Sequence, residues 1–238
     1  MEDSILEKLT VGIFGCNCYL IGSRLRKEIF IIDPGAQSEL ILDKIHQLKV
    51  KPKGIILTHG HPDHTGALAS IKDEYDIPVL YNKGEYKKPI STKADRWLNE
   101  GDIFSIGNLQ LHVLETGGHS IGGISLYTKD ITNFRGKNYD GIIFTGDLIF
   151  RRSVGRTDLS EGNRQRLFEN ISQKIIYNTD LSEDFLILAG HMGLTTIKEE
   201  KQLNPFGKSF LTKKDWKKNK YYNKNLKDVL KIAIDERP

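Results

Sequence analysis

Cysteine is nearly absent from this 238-residue chain: Cys16 and Cys18 are the two present, one residue apart. On a strand two such side chains share a face with their α-carbons about 6.5–7 Å apart, at the limit for a bridge. A disulfide framework is thereby excluded, a lone C-x-C argues little for metal, and two buried strand thiols are expected. Long apolar runs are also missing. None approaches the roughly 20 residues that a membrane helix needs, so no membrane span is expected. The first residues, Met1-Glu2-Asp3-Ser4, lack the charged-then-apolar layout of a secretory signal, and a cytoplasmic location is the expectation. No internal repeat or low-complexity tract is present. What remains, 38% hydrophobic and 28% charged, describes an ordinary globular chain with a substantial core.

Net charge is small at +4, but it is unevenly spread. From Phe206 to Pro238, ten Lys and Arg stand against four Asp and Glu, giving +6 and leaving −2 for the rest. The basic character therefore belongs to an appendage. A Lys-rich end is most simply solvated surface, so nucleic acid is not the expected partner.

Strand-like apolar runs ending in turns fill the first half: Cys18 to Ile21, Ile29 to Ile32 before Asp33-Pro34-Gly35, and Gly54 to Leu57. Pro78 to Tyr81, Leu109 to Leu114, Ile124 to Tyr127, Gly141 to Thr145 and Phe185 to Ala189 predict further strands. Leu40, Ile41, Ile45 and Leu48 form a helical stripe with Ser38 as its expected cap. Helices are also predicted over Thr65 to Tyr75 and Ser160 to Tyr177, and Thr128 to Asp140 reads as an extended hairpin loop. The apolar residues Leu226, Val229, Leu230 and Ile234 predict a helix in the tail that docks on the body. Mixed strands and helices indicate α/β layers.

Histidine is what the chain concentrates. In Thr58-His59-Gly60-His61-Pro62-Asp63-His64, three of seven histidines and an aspartate follow an apolar strand directly. Core histidines occur singly, whereas imidazole and carboxylate in such a cluster are ligands for zinc, iron or manganese. His119 in Thr116-Gly-Gly-His119, Asp147 in Phe144-Thr-Gly-Asp147 and His191 in Ala189-Gly-His191 likewise follow apolar runs. If those strand ends share one edge, seven N and O donors meet: too many for one tetrahedral ion, suited to two that share a carboxylate. Gly60, Gly118, Gly146 and Gly190 stand beside the ligands, where small residues leave room for tight turns and for metal. His46, on a helix face, and His112, within a strand, fall outside the pattern and are expected to be structural.

The pattern His59-x-His61-x-Asp63-His64, then His119, Asp147 and His191, resembles the metallo-β-lactamase superfamily over about residues 9 to 206. The resemblance implies an α/β fold, the family's αββα sandwich, as a domain over residues 1–205. A short basic helical C-terminal tail, 206–238, would pack on it. It implies two divalent metals, zinc foremost with iron or manganese as alternatives. His59, His61 and His119 would hold the first, and Asp63, His64 and His191 the second. Asp147 would bridge them, Asp63 and Asp147 would serve catalysis, and Asp33 would support the metal loop. Phe144 to Phe150, Gly155-Arg-Thr-Asp158 and Gly190 to Phe206 are similar to glyoxalase II-like thioester hydrolases of the compact single-domain branch. This implies hydrolysis of a small-molecule thioester of the S-lactoylglutathione type, with Arg152 or Arg156 holding a substrate carboxylate. An internal Arg156–Asp158 pair is the alternative for the second arginine.

Three departures qualify the match. Gly117 replaces a proline common in the family and is expected to loosen the His119 loop. The tail replaces a longer glutathione-gripping domain. Gly155-Arg-Thr-Asp158 also resembles the persulfide dioxygenases, which use one iron on the equivalents of His59, His119 and Asp147. A nucleic-acid-acting metallo-hydrolase is a third possibility, prompted by the basic tail alone.

Overall fold

The structure, a computed structural model, describes residues 3–88 and 90–210. The tail helix expected over Leu226 to Ile234 lies outside those residues. Among the described residues no helix is long and apolar enough to cross a membrane.

Two six-stranded sheets face each other. The first holds β1 (Ser4–Val11), β2 (Cys16–Ser23), β3 (Glu28–Ile32), β4 (Lys51–Ile56), β5 (Val79–Tyr81) and β6 (Arg96–Trp97), in that order. The second contains β7 (Ile103–Ile106), β8 (Leu109–Glu115) and β9 (Ile124–Thr128). After a small hairpin of β10 (Asn133–Phe134) and β11 (Lys137–Asn138), β12 (Ile142–Gly146) joins it. A second hairpin, β13 (Ile149–Phe150) with β14 (Ser153–Val154), precedes β15 (Leu186–Ala189) and β16 (Thr195–Thr196). The order across this sheet is β16-β15-β12-β9-β8-β7. The polar stretch after Tyr127 is thus a hairpin loop, as its composition suggested. β1 has no clear alternation, because Leu6 to Leu9 are all only partly covered and Thr10 is exposed.

Residue alternation builds the layers. Phe30, Ile32 and Ile56 point between the sheets and meet Val113, Leu126, Ile142, Phe144, Leu186 and Leu188. Their neighbours Ile29, Ile31 and Ile55 point outward, beneath Ile41 and Ile45 of α1 (Ser38–Leu48). Leu68 and Ile71, which join the same cluster, belong to α3 (Leu68–Tyr75). Ile143 and Ile187 point to the opposite outside. There they are covered by Leu167 and Phe168 of α4 (Arg164–Asn170 in chain order), by the π-helical turn Ile171–Ile176, and by Ile197 of α5 (Ile197–Leu203). Helix, sheet, sheet, helix is the αββα sandwich that was expected. Phe206 and Phe210 are buried in that last cluster beside Phe168.

Helix ends depart from the sequence reading in three places. The residue preceding α1 is Gln37 in a left-handed conformation, so Ser38 is inside the helix and not its cap. The helix expected over 65–75 divides at Gly66-Ala67 into α2 (Pro62–Thr65) and α3, because the metal loop runs directly into α2. The helix expected from Ser160 begins at Arg164, where the Asn163 side chain accepts the Arg166 N–H as a cap.

Strand direction places the functional loops. β3, β4 and β5 are parallel, joined through α1 and α3. β8 and β12 are each antiparallel to β9, and β15 is parallel to β12, so β8, β12 and β15 point the same way. The loops that carry the histidines and aspartates all leave carboxyl ends of these strands.

Candidate metal centre

Five segments converge at this edge. Asp33 follows β3, His59 to His64 follow β4, His119 follows β8, Asp147 follows β12, and His191 follows β15. The structure brings together all seven residues named from the sequence. His59, His61 and His119 form one donor group, and Asp63, His64 and His191 a second, each with its ligand atoms within 4.8 Å of one another. Asp147 lies between them: Oδ2 is 3.6 Å from both His119 Nε2 and His191 Nε2, and Oδ1 is 3.3 Å from His64 Nε2. Gly190 has to be glycine here, since a Cβ would come within 2.4 Å of Asp147 Oδ1 and 2.6 Å of His64.

The outer ring nitrogen of every imidazole faces an oxygen that can only accept, or one already donating elsewhere. His119 Nδ1 donates to the Arg156 carbonyl at 2.8 Å, and His191 Nδ1 to the Phe14 carbonyl at 3.1 Å. His64 Nδ1 donates to Asp33 Oδ2 at 3.0 Å, and His61 Nε2 to Glu161 Oε1 at 2.9 Å. The Thr58 hydroxyl donates to Asp33 Oδ2, so it accepts from His59 Nδ1 at 3.1 Å. These partners fix which nitrogen of each of the five rings turns inward, and that nitrogen carries a lone pair once its ring is neutral.

Inward, the arrangement calls for cations. His61 Nδ1 and His119 Nε2 stand 2.9 Å apart, acceptor against acceptor in neutral rings, and His64 Nε2 and His191 Nε2 stand 3.3 Å apart. His59 Nε2 and Asp147 Oδ1 are buried without a hydrogen-bond partner. Leaving such an atom unpaired costs about 1–3 kcal/mol. A pair of divalent ions accounts for both observations, and the nitrogen and oxygen donors fit zinc, iron or manganese. The clusters imply a dinuclear metal site.

Charge differs across the centre. Burial pushes His59 well below the usual histidine range, with the neighbouring imidazoles adding to the effect. Burial lowers His61 too, aided by the Lys88 cation, and lowers His119. Burial also opposes charge on His64, yet Asp147 and Asp33 outweigh it and hold the ring well above its normal value. His191 is raised against burial by Asp63 and Asp147. Asp63 resists burial through His191 and His64 and titrates at about 2.

The remaining residues fall outside the centre. Arg152 is not free for substrate: its guanidinium engages buried Glu200 and Thr195, and its backbone N–H also donates to Glu200. Arg156 forks onto Asp158 at 2.7 and 2.8 Å, the pairing weighed as its alternative role. His46 is exposed near the end of α1, and His112 stacks on Tyr127. Cys16 and Cys18 are free and buried. Gly117 does not loosen its loop, because Asn170 Nδ2 donates to its carbonyl and Asn163 N–H to that of Gly118.

Sequence reasoning missed three charged residues. Glu85 is fully buried and accepts the N–H of Gly60 at 2.9 Å and of Gly122 at 2.6 Å, tying the His59–His64 loop to the His119 loop. Glu161 holds His61 and pairs with Lys88. No spacing signal marks any of them.

Comparison with known proteins agrees with this geometry. Residues 11–191 match the model of the metallo-beta-lactamase superfamily. The chain is 31% identical over 218 residues to hydroxyacylglutathione hydrolase GloC of Haemophilus influenzae, covering 84% of this chain and 97% of that one. It is 32% identical over 220 residues to the probable metallo-hydrolase YqgX of Bacillus subtilis, covering 86% and 98%. Among solved structures, BLEG-1 B3 metallo-beta-lactamase superposes with a TM-score of 0.75 at 30% identity, over 85% of this chain and 99% of that one. ETHE1 from Myxococcus xanthus gives 0.73 at 26%, over 87% and 88%. TTHA1623, in a di-iron-bound form, gives 0.71 at 28%, over 84% and 99%. Fold, donor spacing and sequence agree, and the chain belongs to the metallo-β-lactamase superfamily.

Proposed function

We propose that the chain is a dinuclear metallo-hydrolase, with zinc in both sites, that cleaves a small acyl thioester of the S-lactoylglutathione type. The observation that carries the reading is the set of five imidazoles whose outer N–H groups are all committed, turning five inner nitrogens and two carboxylates towards one another. Likeness to hydroxyacylglutathione hydrolase GloC supports the substrate class.

Held by His59, His61, Asp63, His64, His119, Asp147 and His191, two divalent ions would supply Lewis acidity, lowering the pKa of a water from 15.7 towards about 7 and stabilising a developing oxyanion. The protein's part is placement. Asp147 spans the two donor groups and sets their separation. Asp63 stays ionised and 27% exposed, so it would complete the second donor group and orient a water beside it. Neutral His59, His61 and His119 offer lone pairs without first losing protons. A thiol leaving group has a pKa of about 8.5, so the thiolate departs without an acid dedicated to it.

The rival is oxidation of a persulfide at one iron. It draws on the likeness to ETHE1 and on the Gly155-Arg-Thr-Asp158 element. Purified protein assayed for bound metal, for S-lactoylglutathione hydrolysis and for oxygen uptake with glutathione persulfide separates the two. Two equivalents of metal with hydrolysis is the expected result. One equivalent of iron with oxygen uptake overturns it.

A further inference from the structure

Each imidazole is steered by its outer partner, and four of the five partners belong to the main chain or to the core. Thr58 is buried at the end of β4, Asp33 is buried after β3, and the Arg156 and Phe14 groups are backbone carbonyls. His61 is the exception. Its Nε2–H goes to the carboxylate of Glu161, a side chain on the loop between Asp158 and α4.

That carboxylate is itself restrained. Lys88 pairs with Glu161 Oε1, and the Ser160 hydroxyl reaches Oε2 at 3.1 Å. Both members are largely covered, Lys88 at 14% and Glu161 at 18% exposed, unlike a solvated surface pair worth under about 1 kcal/mol. The Lys88 stem lies against Gly60, its Cγ 3.0 Å from where a Cβ would stand, so it adjoins the residue before His61. The loop that bears Glu161 is held at its far end, where Asn163 N–H donates to the Gly118 carbonyl next to His119. The same segment supplies the Arg156 carbonyl for His119 Nδ1. Residues 156–163 thus orient two of the three imidazoles in the first donor group.

We infer that Glu161, braced by Lys88, is a positioning residue that fixes His61 with Nδ1 towards the first metal, so that affinity at this site depends on a carboxylate supplied by the 156–163 loop. The inference rests on the dinuclear reading above. Partners of ligating histidines typically control metal affinity by about 10–100-fold. The expected loss is confined to one site, because Glu161 touches nothing in the Asp63, His64, His191 group among the described contacts.

The experiment is a titration of chelator-stripped protein with Co²⁺ alone, followed by calorimetry and visible absorption. His59→Ala and His191→Ala assign the two binding steps. Glu161→Ala should weaken the first-site step by about 10–100-fold and alter its ligand-field bands, leaving the second step unchanged. Glu161→Gln, which keeps an acceptor but loses the charge, should fall between Glu161→Ala and the parent. Lys88→Met should give a smaller loss at the same step. If Glu161→Ala does not fold, Glu161→Gln is read alone against the parent. Unchanged affinity and spectrum at the first site, or equal weakening of both steps, overturns the inference. A parent protein that takes up no Co²⁺ overturns the dinuclear reading instead.

Discussion

The two donor groups are built from similar parts and sit among different charges. His59, His61 and His119 have no carboxylate within their own group, and burial keeps all three disposed to be neutral. His64 and His191 lie among Asp33, Asp63 and Asp147, which favour a proton on each ring despite burial. The first group is thus ready for a metal. In the metal-free protein the acids of the second favour a proton on His64 and His191, so protons compete with a metal there.

Removing a donor from each side has the largest expected effect. His61→Ala and Asp147→Ala are expected to abolish turnover, a loss beyond the roughly 100-fold that an outer partner controls. His61→Ala should spare metal at the second group, whereas Asp147→Ala should weaken both, as metal analysis of the purified variants would register. Equal retention of both metals in the two variants would contradict the assignment.

Asp33→Asn sharpens the second side. Asp33 accepts from Thr58 N–H at 2.7 Å, from the Thr58 hydroxyl at 2.6 Å and from His64 Nδ1 at 3.0 Å. An amide cannot accept at both positions, so affinity at the second group should fall by about 10–100-fold, with a smaller effect on the first through Thr58. A calorimetric titration distinguishes this from equal loss at both.

Acidity separates the groups next. In metal-free protein, His64 and His191 titrate above their unfolded value of about 6.5, so their contribution to stability is present below that pH and is lost as pH rises through the folded values. Asp63, depressed to about 2, contributes above its unfolded value near 3.9 and loses that contribution as pH falls towards about 2. His59, His61 and His119, lowered by burial, work against this below about 6.5, because the unfolded chain takes up protons there that those rings refuse. Metal should raise the melting temperature more at pH 8 than at pH 6, because protons compete with the second ion. Melting curves with and without Zn²⁺ across this range provide the check, and a metal increment that shrinks with rising pH would contradict it.

The smallest expected effect is a control. His112 contacts neither group and stacks on Tyr127 with ring centroids 4.8 Å apart. His112→Ala should leave turnover nearly intact and cost about 0.5–1.5 kcal/mol of stability, as measured by denaturant unfolding.

How much of this was written in the sequence follows from what each part depends on. The seven donors stood out because each follows an apolar run, and in a sandwich of this topology those runs end at one edge. The strands of the core were legible for the same reason, being continuous apolar segments such as Ile29 to Ile32. Glu85, Glu161 and Lys88 carried no such mark. Each is an ordinary charged residue whose importance depends on which loops meet in space, and no local pattern encodes that. Arg152 misled for a related reason. Its neighbour in space, Glu200, lies in α5 some 48 residues onward, and only the fold shows the two joined. Asn163 also shows the limit, since its capping side chain outranked Ser160 as the start of α4.

The most direct test is the metal content of chelator-stripped protein reloaded with Zn²⁺, read by elemental analysis alongside thioester hydrolysis. Two ions per chain at pH 8, loss of the second before the first as pH falls, and no hydrolysis from the stripped form are expected of a dinuclear hydrolase. A chain that stays free of metal, or stripped protein that hydrolyses at full rate, contradicts that reading.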